Sequence, residues 1–96
     1  LAHCMRWLGQ AEIALDMMVK RSLERFAHGS LLADKQGIQW MIADSTMELY
    51  QCKLMVLHAA YKIDRGDDFR SEVSMAKHFV ANSLNRIVDR AIQVHG

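Results

Sequence analysis

The chain has 96 residues, half of them apolar, with twelve basic and eleven acidic side chains spread along it for a formal charge of +1. That length allows one small domain with its own core, and charges scattered in both signs offer no basic face for nucleic acid. Charges recurring at Arg6, Asp16, Lys20, Asp44, Lys53 and Lys77 interrupt every apolar run before the ~20 residues a membrane span needs, so none is expected.

Proline is absent and the five glycines stand far apart, which leaves long stretches without a strong helix breaker and favours an all-α fold. The opening LAHCMRWLG has neither the charged and apolar regions of a signal peptide nor an initiator methionine, so the chain reads as a piece of something longer. Cys4 and Cys52 fit no zinc or C-x-x-C spacing and read as buried, reduced thiols of an intracellular protein.

The first helix is expected over about residues 1–27. Cys4, Leu8, Ala11, Leu15, Met18, Ser22 and Phe26 recur at spacings of three and four, as one helix face requires. Asp16 to Lys20 and Lys20 to Glu24 are opposite charges four apart, each able to add about 0.3 kcal/mol on an exposed face. AHGS, Ala27 to Ser30, breaks the pattern, with Gly29 as the expected left-handed cap.

The second helix is expected over about 31–63, with Ile38, Met41, Ser45, Leu49, Cys52, Val56, Ala59 and Ile63 facing inward. DRGDD, Asp64 to Asp68, ends it: Gly66 can take the positive φ of a helix stop, and Asp67 or Asp68 can cap the next helix. The third helix, about 69–95, turns Val73, Ala76, Val80, Leu84, Ile87, Ala91 and Val94 inward. No segment alternates as a strand would, and nothing repeats.

These segments make three antiparallel helices, an incomplete up-and-down four-helix bundle. At 1.5 Å per residue the second helix would be roughly 45 to 50 Å long, too elongated for three helices to bury every apolar position among themselves. A fourth helix, or another chain, is therefore implied.

Catalytic and metal motifs are missing. There is no Glu-x-x-His pair on facing helices, no His at i and i+4 within one helix, no G-x-S-x-G elbow and no phosphate-cradling glycine loop. Seven methionines at helical spacing suit core filling, and equally an adaptable surface for a partner helix. Arg25, Gln36 and Gln93 stand near the breaks and the end, and residue type alone makes each an ordinary solvated or capping side chain.

Those same stretches carry a resemblance. LERFAHGSLLADKQ (Leu23 to Gln36), MIADS (Met41 to Ser45), SMAKHFVAN (Ser74 to Asn82) and DRAIQVHG (Asp89 to Gly96) resemble the carboxy-terminal helical domain of FAD-dependent acyl-CoA dehydrogenases. CMRWLGQAEIALD (Cys4 to Asp16) is similar to that domain's first helix, in the branch of the long animal enzymes and their bacterial relatives. The match runs in order along essentially all 96 residues.

The resemblance implies a homodimer or homotetramer with FAD held between subunits, acyl-CoA as substrate and electron-transfer flavoprotein as redox partner. It implies a cytoplasmic protein if bacterial and a mitochondrial-matrix protein if eukaryotic. Arg25 matches the family arginine that reaches the FAD pyrophosphate of a neighbouring subunit, a use suited to a planar guanidinium fork. Gln36 matches a glutamine lining the adenosine half of FAD. Gln93, Val94, His95 and Gly96 match a Q-x-x-G-G turn at the AMP half, with the chain ending at its first glycine, where a missing Cβ lets backbone approach the dinucleotide.

Phe26, Ala27 and His28 depart from the residues usual between that arginine and Gly29, so no contact from them is carried over. The catalytic glutamate of these enzymes has no match among Glu12, Glu24, Glu48 and Glu72, so the chain by itself is expected to be inactive. A free-standing, methionine-rich interaction module without flavin is the alternative reading.

Overall fold

Helix-favouring segments without proline produce three long helices in the computed structural model, which describes residues 1–96. They are α1 (Ala2–Glu24), α2 (Gln36–Arg65) and α3 (Arg70–His95). A two-residue hairpin, β1 (Phe26–Ala27) and β2 (Ser30–Leu31), and a 3-10 turn (Leu32–Asp34) lie between α1 and α2. The all-α architecture stands, and the chain's first break differs from the expected one.

Helix α1 buries Cys4, Ala11, Leu15, Met18 and Ser22, the stripe expected from its periodicity. It stops at Glu24, because Arg25 leaves the helix with φ −93° and ψ 125°. Phe26, expected on the inner stripe, is consequently 69% exposed. His28 at φ 53° and Gly29 at φ 86° make a two-residue turn in which both central residues have positive φ, the type I′ geometry that matches strand twist.

Gly29 is thus a hairpin residue rather than a helix cap. The register pairs Phe26 with Leu31 and Ala27 with Ser30, and the Leu32 amide closes the loop on the Arg25 carbonyl at 2.9 Å. These contacts consume Leu31 to Lys35, so α2 starts at Gln36, five residues later than periodicity suggested. A strand of two residues is too short to show alternation, which is why none was expected.

The second break matches expectation more closely. Gly66 sits at φ 74°, donating its amide to the Ile63 carbonyl at 3.1 Å while the Asp67 amide reaches the Lys62 carbonyl at 3.0 Å. That pair of bonds satisfies two orphan carbonyls in the Schellman manner. Asp68 accepts both the Arg70 amide and its Nε at 3.2 Å, but stands one residue ahead of the formal cap, Phe69.

Helices α1 and α3 run parallel to each other and antiparallel to α2. Two clusters form the core. Ala11, Leu15, Met18, Leu49, Ile87, Ala91 and Val94 pack near the hairpin, and Cys4, Cys52, Val56, Ala76 and Val80 pack toward the α2–α3 turn. Both cysteines are free and buried, as expected.

Ala59, Ala76, Ser22, Ser45 and Ser83 are fully buried, small side chains that let helices approach closely. The Asp16–Lys20 and Lys20–Glu24 pairs do not form; instead Glu12 crosses to Lys53 of α2, and Lys62 of α2 meets Glu72 of α3 at 3.4 Å.

The rod is thin. Its principal extents are 56 × 17 × 16 Å with a radius of gyration of 15.7 Å, against about 12.5 Å for a compact chain of this length. Helix α2 is apolar on two opposite sides: Ser45, Leu49, Cys52, Val56 and Ala59 face in, while Trp40, Met47, Tyr50, Leu54, Leu57 and Tyr61 are about half to two-thirds exposed on the outside. An exposed apolar face of this extent is of the kind that further packing covers, in line with the expectation that three helices do not close the core. Ile63, expected inside, lies on the overhang of α2 and is 39% exposed.

Candidate functional site

Because α2 is antiparallel to its neighbours, the carboxy ends of α1 and α3 and the amino end of α2 share one end of the rod. The four residues singled out in the sequence lie there. Arg25 is the corner between α1 and the hairpin, Gln36 is the first residue of α2, Gln93 is in the last turn of α3, and Gly96 follows that helix at φ 78°. All four are exposed. No pair of them is in hydrogen-bond contact, so what unites them is a shared end and not a preformed cluster.

Local structure explains each placement. The Arg25 amide and carbonyl are both spent, on Arg21 at 3.0 Å and on Leu32 at 2.9 Å, which pins the backbone. Its guanidinium has no protein partner and stays available for an anion. Ala91 and Val94 are buried, so Gln93 between them must face out. A Cβ on Gly96 would meet nothing within 4 Å; the positive φ and the open surroundings leave its backbone approachable.

The strongest electrostatic feature escaped the sequence reading. Glu48 of α2, with a side chain 13% exposed, accepts from Arg86 and Arg90 of α3. Arg90 also donates to Ser45 Oγ at 3.3 Å and Arg86 to Ser83 Oγ at 3.1 Å. Burial alone would raise the Glu48 carboxyl, but the hydrogen bonds and charge of Arg90 and Arg86 outweigh it and hold the group below its ordinary range. Burial pushes the Cys52 thiol up, away from reactivity.

Nothing in the spacing 48, 86 and 90 announces this network, since its partners are 38 and 42 residues apart. Arg21, whose Nη2 reaches the His95 carbonyl at 3.5 Å, was missed for the same reason.

Three of the four glutamates are engaged, Glu12 by Lys53, Glu48 by two arginines and Glu72 by Lys62. Glu24 is exposed on the last turn of α1. No group of three or more His, Cys, Asp or Glu is placed to hold a metal ion.

Three long helices with an exposed apolar outer face and exposed polar residues at one end define a bundle-type domain. The chain belongs to the acyl-CoA dehydrogenase family: the description of that family's C-terminal domain matches residues 1–96. It is 43% identical over 96 residues to (R)-benzylsuccinyl-CoA dehydrogenase of Thauera aromatica, covering 99% of this chain and 23% of that enzyme.

Butyryl-CoA dehydrogenase from Megasphaera elsdenii superposes with a TM-score of 0.94 at 30% identity, over 97% of this chain and 24% of the other. The FAD complex of PigA gives 0.91 at 26% identity, over 94% and 24%. The chain therefore spans about a quarter of the length of these proteins. Agreement over the whole chain in both sequence and fold makes an incidental likeness untenable.

Proposed function

We propose that this chain forms one wall of the FAD site, and part of a subunit interface, in a flavin-dependent acyl-CoA dehydrogenase. The observation that carries the reading is the gathering of Arg25, Gln36, Gln93 and Gly96, all exposed, at one end of the rod. FAD, when bound, supplies the acceptor for hydride from the β-carbon of an acyl-CoA thioester.

The residues here would bind and orient it. Arg25 offers an unpaired guanidinium whose fork matches two phosphate oxygens. Gln36 and Gln93 offer amides to the adenosine half, and Gly96 offers backbone without a side chain in the way. The outer faces of the helices, with Trp40, Tyr50 and Leu57 of α2 and Ile13 and Met17 of α1 exposed, suit contact with other subunits or domains of a homodimer or homotetramer.

No glutamate of this chain is offered as the base. Glu12, Glu48 and Glu72 are held by cations, and a carboxylate kept charged by arginines, as Glu48 is, makes a weak proton acceptor. The chain by itself is thus expected to have no dehydrogenase activity, and reduction of electron-transfer flavoprotein would be a property of the whole enzyme.

The test is Arg25→Ala in the full-length protein. Loss of a charge-assisted bidentate contact should weaken FAD retention by at least about tenfold, read by flavin release on dilution. Unchanged retention and an unchanged assembly state would overturn the assignment, and with tolerance of substitution at Gln93 and Gly96 would favour a flavin-free interaction module.

A further inference from the structure

Two parallel helices, α1 and α3, end side by side at the candidate site. Helix α1 leaves its last carbonyls without intrahelical partners and the negative end of its dipole beside the last turn of α3, which favours cations and donors between the two. Most of the bonds that these ends make are local. The Arg25 amide takes the Arg21 carbonyl, the Gly96 amide takes Ile92 at 3.1 Å, and His95 Nδ1 lies 2.9 Å from the Ala91 carbonyl.

One bond is not local. Arg21, in the last turn of α1, sends Nη2 across to the His95 carbonyl, the last of α3, at 3.5 Å. Its Nε is buried without any partner. The guanidinium therefore sits between the two helix ends without a full set of acceptors, and the one protein acceptor it reaches is the carbonyl adjoining Gly96.

From this we infer that Arg21 is a positioning residue for the flavin-facing end. It ties the turn bearing Gln93 and Gly96 to the helix end bearing Arg25, so that the two FAD-facing groups keep one spacing. Arg25 lies four residues beyond Arg21 along α1, and the Arg25 amide bonds to the Arg21 carbonyl. One residue thus holds both ends, by backbone on one side and by side chain on the other. The inference rests on the reading that Arg25, Gln93 and Gly96 face FAD.

The test is a double-mutant cycle on FAD dissociation in the full-length protein, with the melting temperature of the apoprotein as the control for folding. Arg21→Met should weaken FAD by about tenfold, the effect of losing one charge-assisted bond. In a Gln93→Ala background the same change should cost less than about twofold, because the turn it positions no longer has its contact to lose.

Arg21→Lys, which keeps a cation within reach of the His95 carbonyl, should restore binding to within about threefold of the parent. If Arg21→Met does not fold, Arg21→Gln, which keeps a donor and drops the charge, takes its place in the cycle. Strict additivity with Gln93→Ala, or FAD binding unchanged by Arg21→Met, would overturn the inference while a weakened Arg25→Ala left the parent reading standing. An Arg25→Ala variant with normal FAD binding would instead bring down that parent reading.

Discussion

The two halves of the rod are built differently. The half near the hairpin packs large side chains, Met18, Leu49 and Ile87, and adds the Glu48–Arg86–Arg90 clamp. The half near the α2–α3 turn centres on Cys4, Cys52, Val56, Ala76 and Val80, flanked by Trp7, Met55 and Phe79, and carries the Lys62–Glu72 pair, whose side chains are 31% and 14% exposed. Both halves thus carry a cross-helix ion pair, but only in the hairpin half do two arginines converge on one carboxylate. The candidate site lies at the end of the half that holds the clamp.

Breaking the clamp tests the contrast most severely. Glu48→Ala leaves two neighbouring arginines on one face of α3 without their shared carboxylate and should destabilise the domain by about 2 kcal/mol, read by denaturant unfolding. The wild-type clamp should also show in pH dependence. The folded Glu48 carboxyl lies below its unfolded value, so its contribution is fully present above the ordinary carboxylate range and is lost as pH falls through the lowered folded value. Glu48→Gln should flatten that acid limb of the stability profile.

In the other half, volume should matter more than charge. Ala76 is fully buried between helices that approach closely, so Ala76→Leu should cost about 2 kcal/mol through overpacking. A similar cost at an exposed position such as Ala43 would contradict the contrast. The smallest effect is expected in the hairpin. His28 holds φ 53°, a region asparagine tolerates better, so His28→Asn should raise stability by about 0.5 kcal/mol without disturbing Arg25. A loss of stability there would mean that the His28 ring makes a contact the backbone geometry does not require.

The three inner stripes were legible because a period of 3.6 leaves a signature in any segment long enough to repeat it. The inner positions of α1 and α3 were foreseen almost throughout, with Ser83 added because its small side chain lies under Arg86. The hairpin was not legible, because His-Gly after a helix serves a cap or a turn equally well, and only pairing with Ser30 and Leu31 decides between them. The same ambiguity put the start of α2 too early.

Arg25, Gln36, Gln93 and Gly96 were found through family likeness; their spacing carries no sign of a common role. Their common end follows from topology, since antiparallel helices bring residues 25, 36 and 93 to one side of the molecule.

By itself the sequence determined helix content, the inward face of each helix and the Gly66 stop, because each depends on local periodicity or on one residue's φ preference. The tertiary structure alone decided which charges meet. Glu48 finds Arg86 and Arg90 and Glu12 finds Lys53, while Arg21 donates to the His95 backbone carbonyl, all across helices and at separations no local rule spans. Cross-helix ion pairs are set by the rotation and register of packed helices, which the buried small residues impose, and that information exists only once the helices have come together.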